Sequence, residues 1–158
     1  MLTILIPVDG SEPSLEAVRH ALRLVREGLQ AEFVLANVQQ PASLYEMVMA
    51  RDPEVLQGVS AGAGAHLLAA AEGLCLSAGV GYQLEVASGD PAPTLLEIVE
   101  RYGCDAVIMG ADTQGAISSA LLGSVPHDVM QACPVPVTVV RPAPPADDDV
   151  AEDAAAPA

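Results

Sequence analysis

Apolar and polar positions follow two rhythms along this chain, and the switches between them outline alternating strands and helices. Leu2 to Val8 is an apolar run broken only by Thr3 and Pro7, the pattern of a strand buried on both faces of a parallel sheet. Asp9-Gly10-Ser11 then turns the chain. Ser11 can cap a helix that accommodates Pro13 in its first turn, and Leu15, Val18, Leu22, Val25 and Leu29 recur at spacings of three and four. An amphipathic helix ending near Gly28 is predicted, followed by a second strand over Phe33 to Val38. The polar stretch with Pro41 and Pro53 reads as a loop or lid over one sheet edge. Ala61 to Ala78, rich in Ala and Leu, predicts a helix stopped by Gly79, with Gly62 and Gly64 weakening its start.

Tyr82 to Ala87 alternates as a third strand, and Gly89-Asp90-Pro91 leads into a helix carrying Leu95, Leu96, Ile98 and Val99 up to Tyr102. Ala106 to Met109 is a short fourth strand, Ser124 to Ala132 a last helix, and Val137 to Val140 a fifth strand, with Pro136 marking it as an edge. Strands alternating with helices predict an α/β fold: a single open five-stranded parallel sheet with helices on both faces, flavodoxin- or Rossmann-like, joined by right-handed crossovers. Beyond Arg141 the chain turns to Pro, Ala and acid, so residues 1–142 are expected to form the domain and 143–158 a disordered acidic tail.

Composition narrows the chemistry. With 158 residues there is room for one domain, and 51% apolar but 3% aromatic residues imply a core of aliphatic side chains and alanine. A formal charge of −15 against six basic residues, all Arg, argues against nucleic acid and anionic membrane as partners. The absence of Lys removes Schiff-base chemistry and a Walker-type phosphate lysine. Cys75, Cys104 and Cys133 have no C-x-x-C spacing, and His20, His66 and His127 have no metal-ligand spacing, so packing roles are expected for both sets and no metal site. Ser118 and Ser119 lie outside any G-x-S-x-G elbow. The opening apolar stretch lacks a basic flank and is too short for a signal core, which favours a cytoplasmic location.

In an open parallel sheet, ligands bind beyond the carboxyl ends of the strands. Pro7, Val8, Asp9, Gly10 and Ser11 leave the first strand, and Gly110, Ala111 and Asp112 leave the fourth; if these strands are neighbours, the two loops face one crevice. Gly123-Ser124-Val125 opens the last helix and either offers free N–H groups to an anion or forms an ordinary turn and cap. Asp9 is likewise either a site residue or part of a simple Asp-Gly turn.

Taken in order, Ile6-Pro7-Val8-Asp9-Gly10-Ser11, Gly89-Asp90-Pro91, Val107-Ile108-Met109-Gly110, Leu122-Gly123-Ser124-Val125 and Cys133-Pro134-Val135-Pro136-Val137 resemble the universal stress protein family over residues 2 to 142. The resemblance implies strand order 3-2-1-4-5, a homodimer formed through the last strand (Val137 to Val140), unidentified protein partners, and a role in stress responses without catalytic residues. Members that bind ATP carry G-x-x-G-x9-G-[ST] after strand four. Here Gly110 and Gly123 keep the thirteen-residue offset, Ser124 supplies the hydroxyl, Thr113 stands at the second glycine, and Gly115 lies two residues on. The implied site for ATP or AMP comprises Pro7, Val8, Asp9, Val38, Gly110, Thr113, Gly115, Gly123, Ser124 and Val125, with the Val38 backbone meeting adenine. Threonine restricts close backbone approach to a phosphate, and Asp112 requires a cation such as Mg²⁺ between itself and a triphosphate. The alternative is a dimeric interaction protein of the same family that binds no nucleotide.

Overall fold

A computed structural model of the chain describes residues 1–40, 53–111 and 123–142, with backbone alone over 53–61 and at 63. The elements are β1 (Leu2–Pro7), α1 (Glu12–Arg26), β2 (Ala31–Gln39), α2 (Pro53–Ala78), β3 (Tyr82–Ser88), α3 (Pro91–Tyr102), β4 (Ala106–Gly110), α4 (Ser124–Ala132) and β5 (Val137–Val140). All the strands pair in parallel, in the order β3-β2-β1-β4-β5. This is the expected fold, with β5 at one edge.

Alternation along the buried strands divides the core into two layers. On one face Ile4, Ile6, Phe33 and Leu35 pack with Ala17, Val18 and Ala21 of α1 and Leu68 of α2. On the other, Leu5, Val34 and Val107 meet Leu95 and Ile98 of α3 and Val129 of α4. The crossover from β1 to β2 thus runs over one face and that from β4 to β5 over the other. The connections leaving neighbouring β1 and β4 part to opposite faces at the carboxyl ends of the strands, which is where such a sheet opens a crevice.

Helix α2 starts at Pro53 and not at Ala61, so the end of the expected loop is helical. Proline is compatible with a first helical position, where no intrahelical N–H bond is needed. The glycine that weakens the local propensity has a tertiary use: a Cβ on Gly64 would lie 2.6 Å from Val86 Cγ1, so its absence lets α2 approach the sheet. Residues 41–52 of the expected lid and the expected tail, 143–158, lie outside the described residues.

The cysteines are unpaired, with Cys75 and Cys104 buried and Cys133 half-buried. Burial, reinforced by Glu72, pushes the Cys75 thiol up to about 11, which leaves it protonated and unreactive at neutral pH. No described helix is long and apolar enough to cross a membrane.

Candidate functional site

A cavity of about 580 Å³ opens at the carboxyl ends of β1 and β4. Its walls come from the β1 exit, the first turn of α1, the end of β2, the starts of α3 and α4, and the end of β4. Leu95, Met109 and Pro126 make much of it apolar, Asp9 and Glu12 put carboxylates on its rim, and among the described residues no basic one lines it.

The α1 side is closed upon itself. Asp9 Oδ1 accepts from Ser11 N at 2.9 Å and from the Ser11 hydroxyl, and Ser11 Oγ in turn caps the helix by accepting from Ser14 N at 3.4 Å. Buried Ser14 donates its hydroxyl to Ser11 O at 2.8 Å. Glu12 in the first turn meets Arg19 at 2.6 Å. Gly110 makes this packing possible, because a Cβ there would stand 2.3 Å from Pro13 O.

The α4 side differs. Gly123 is its N-cap at φ +94°, with no side-chain capping bond and no acidic residue in the first turn. Ser124 and Val125 follow, then Pro126, which has no N–H. The N–H groups of Ser124 and Val125 therefore have no intrahelical acceptor, and the positive end of the helix dipole lies beside them.

A third feature is the end of β2. The β1–β2 ladder stops at Pro7 and Ala36, with one further bond from Val8 N to Ala36 O at 2.7 Å. In a parallel ladder alternate residues bond to opposite neighbours. Phe33 N donates to Gly81 O and Gly89 N to Gln39 O, so odd-numbered positions of β2 serve β3 and Val38 faces the β1 side. There β1 has ended, and among the described residues no backbone group bonds to either the N–H or the C=O of Val38. Val38 lines the cavity, so a main-chain donor and acceptor stand together on its wall.

The model of the universal stress protein family matches residues 1–141. The chain belongs to the universal stress protein family. It is 29% identical over 138 residues to universal stress protein MJ0531 of Methanocaldococcus jannaschii, covering 87% of this chain and 81% of that one. Its fold is similar to a universal stress family protein of Arabidopsis thaliana solved with AMP bound, with a TM-score of 0.66, 20% identity and 93% and 97% of the two chains covered. A universal stress protein in complex with cAMP is similar at a TM-score of 0.62 and 23% identity, over 89% and 96% of the two chains.

Within this universal stress protein, the cavity brings together Pro7, Val8, Asp9, Val38, Gly110 and Val125 from the set implied by the sequence. Gly123 and Ser124 begin the helix whose Val125 lines it, and Thr113 and Gly115 lie outside the described residues. Ser11 was expected to face the crevice and lines it, but Glu12, Pro13 and Ser14 of α1 and the start of α3 were missed as walls. Their signals were a serine and a proline that are explained locally by helix starts, and only packing brings them to one crevice.

Proposed function

We propose that this universal stress protein is a cytoplasmic regulatory module of the stress response that binds an adenine nucleotide, AMP or ATP, in the cavity between β1 and β4, without side-chain catalysis. One observation carries the reading: a single cavity is bordered by the unladdered Val38 peptide groups and by the uncapped start of α4. The adenine edge has an acceptor, N1, beside a donor, the 6-amino group, and so matches a main-chain N–H next to a C=O. A phosphate suits the free N–H groups of Ser124 and Val125. The AMP and cAMP held by the two similar proteins support this ligand class.

Charge ranks the nucleotides. AMP needs only the α4 terminus, whereas ATP carries further negative charge towards Asp9 and Glu12, with no cation among the described lining residues to offset it. Those carboxylates are hard oxygen donors that suit Mg²⁺, which would make ATP binding depend on the metal. Titration calorimetry with AMP, and with ATP with and without Mg²⁺, tests this. Saturable binding of AMP and Mg²⁺-dependent binding of ATP are expected, and no heat at millimolar AMP overturns the reading.

The module is further proposed to act as a homodimer through β5, whose outer edge pairs with no strand among the described residues. Light scattering after size exclusion should give twice the chain mass, and a monomer at micromolar concentration would count against it.

A further inference from the structure

We infer that Asn37 is a positioning residue for base recognition: its side chain occupies the Val8 carbonyl and so keeps the Val38 peptide groups open to a ligand. The inference rests on the adenine-nucleotide reading of the cavity.

Asn37 is an exception on its strand. Phe33 and Leu35, on the same face of β2, are buried apolar residues, yet Asn37 is an amide at 2% exposure. An aliphatic side chain would fill that layer without needing partners. Both polar atoms of the amide are engaged: Nδ2 donates to Val8 O at 2.8 Å, and Oδ1 accepts from the Gln39 side chain. Helix α2 covers it closely, since a Cβ on Gly64 would come within 3.1 Å of Asn37 Oδ1.

The consequence follows from the ladder. Were the β1–β2 pairing to continue for one more step, the Val38 N–H would donate to Val8 O, as Val8 N does to Ala36 O one step earlier. Asn37 takes that acceptor instead. Its amide is held in orientation by Gln39, which leaves Nδ2 as the group facing Val8. The buried amide thus turns a strand end that would pair internally into one that presents a donor and an acceptor to the cavity. It touches no nucleotide itself and acts through Val8 and Val38.

Amide hydrogen exchange on the ligand-free protein, read at Val38, tests the ladder. In Asn37→Leu the freed Val8 carbonyl accepts from Val38, and exchange at that amide slows at least tenfold while Leu35 is unchanged. Asn37→Met likewise has no donor and should act alike, which guards against a packing defect peculiar to leucine. A second arm measures affinity for AMP and for IMP, whose base presents the opposite donor and acceptor order. The wild type should favour AMP at least tenfold, and both variants should lose most of that ratio. Unchanged Val38 exchange in both variants, or an unchanged AMP-to-IMP ratio, overturns the role of Asn37 alone. A wild-type protein that binds neither nucleotide overturns the reading of the cavity, and the inference with it.

Discussion

Helices α1 and α4 both begin at the rim of the cavity, yet Ser11 closes the first with a side-chain cap and Glu12 in its opening turn, whereas Gly123 starts the second with neither. Every helix start leaves N–H groups without intrahelical acceptors. At α1 the chain supplies the acceptor and the negative charge itself. At α4 the described residues supply neither, and Pro126 leaves N–H donors only on the first two helical residues. The contrast suggests different work for two similar elements: α1 is anchored as scaffold, and in the proposed reading α4 completes its hydrogen bonding with a ligand anion.

The largest expected effect tests the anchoring. Gly110→Ala would thrust a Cβ into the backbone at Pro13, with contacts of 2.3 Å to its oxygen and 2.9 Å to Ser14 N, and backbone cannot move aside as a flexible side chain can. A loss of about 3 kcal/mol is expected from such overpacking, seen as a lower denaturant midpoint. A neutral result would mean that α1 is not held rigidly against β4 and that its cap is not scaffold.

Next comes the open terminus. Gly123 sits at φ +94°, where a branched side chain is strained, so Gly123→Val should displace the start of α4. Hydrogen bonds to a charged phosphate contribute about 1.5–3 kcal/mol, so AMP affinity should fall roughly 10- to 100-fold in calorimetry. Ser11→Ala should do the reverse: a thermal melt should show about 1 kcal/mol lost with the cap, while AMP affinity stays level. Equal effects of the two substitutions on AMP would erase the distinction between the helix starts.

Part of this contrast was legible in the sequence. Ser11 with Pro13 marked a capped start, and Val137 to Val140 was bounded as it is found, because both follow from local propensity and punctuation. The start of α2 was not legible. Its glycines argue against a helix locally, and packing explains only Gly64, which approaches Val86, since a Cβ on Gly62 would meet nothing within 4 Å. Strand-end position and family resemblance pointed to Pro7, Val8, Asp9, Gly110 and Val125, which do share the cavity, but the faces of α1 and α3 required packing to assemble. Asn37 was the overlooked signal. A single amide inside the apolar run from Phe33 to Val38 breaks the pattern, and its reason is visible only once Val8 lies beside it.

The smallest effect asks how strongly α1 repels an anion. Glu12 is exposed and already meets Arg19 at 2.6 Å, so much of its field is offset by the guanidinium and by water. Glu12→Gln should therefore raise the affinity for Mg²⁺-free ATP only a few-fold, corresponding to roughly 0.3–1 kcal/mol for one charge near a helix start. Added salt should shrink the gain, because exposed charges are screened over about 10 Å at 0.1 M. With Mg²⁺ present the sign should change, since the carboxylate then faces a cation and its loss weakens binding. AMP, whose phosphate is assigned to α4, should respond least. Equal gains for AMP and Mg²⁺-free ATP would place the single phosphate near α1 and reverse the roles of the two helices.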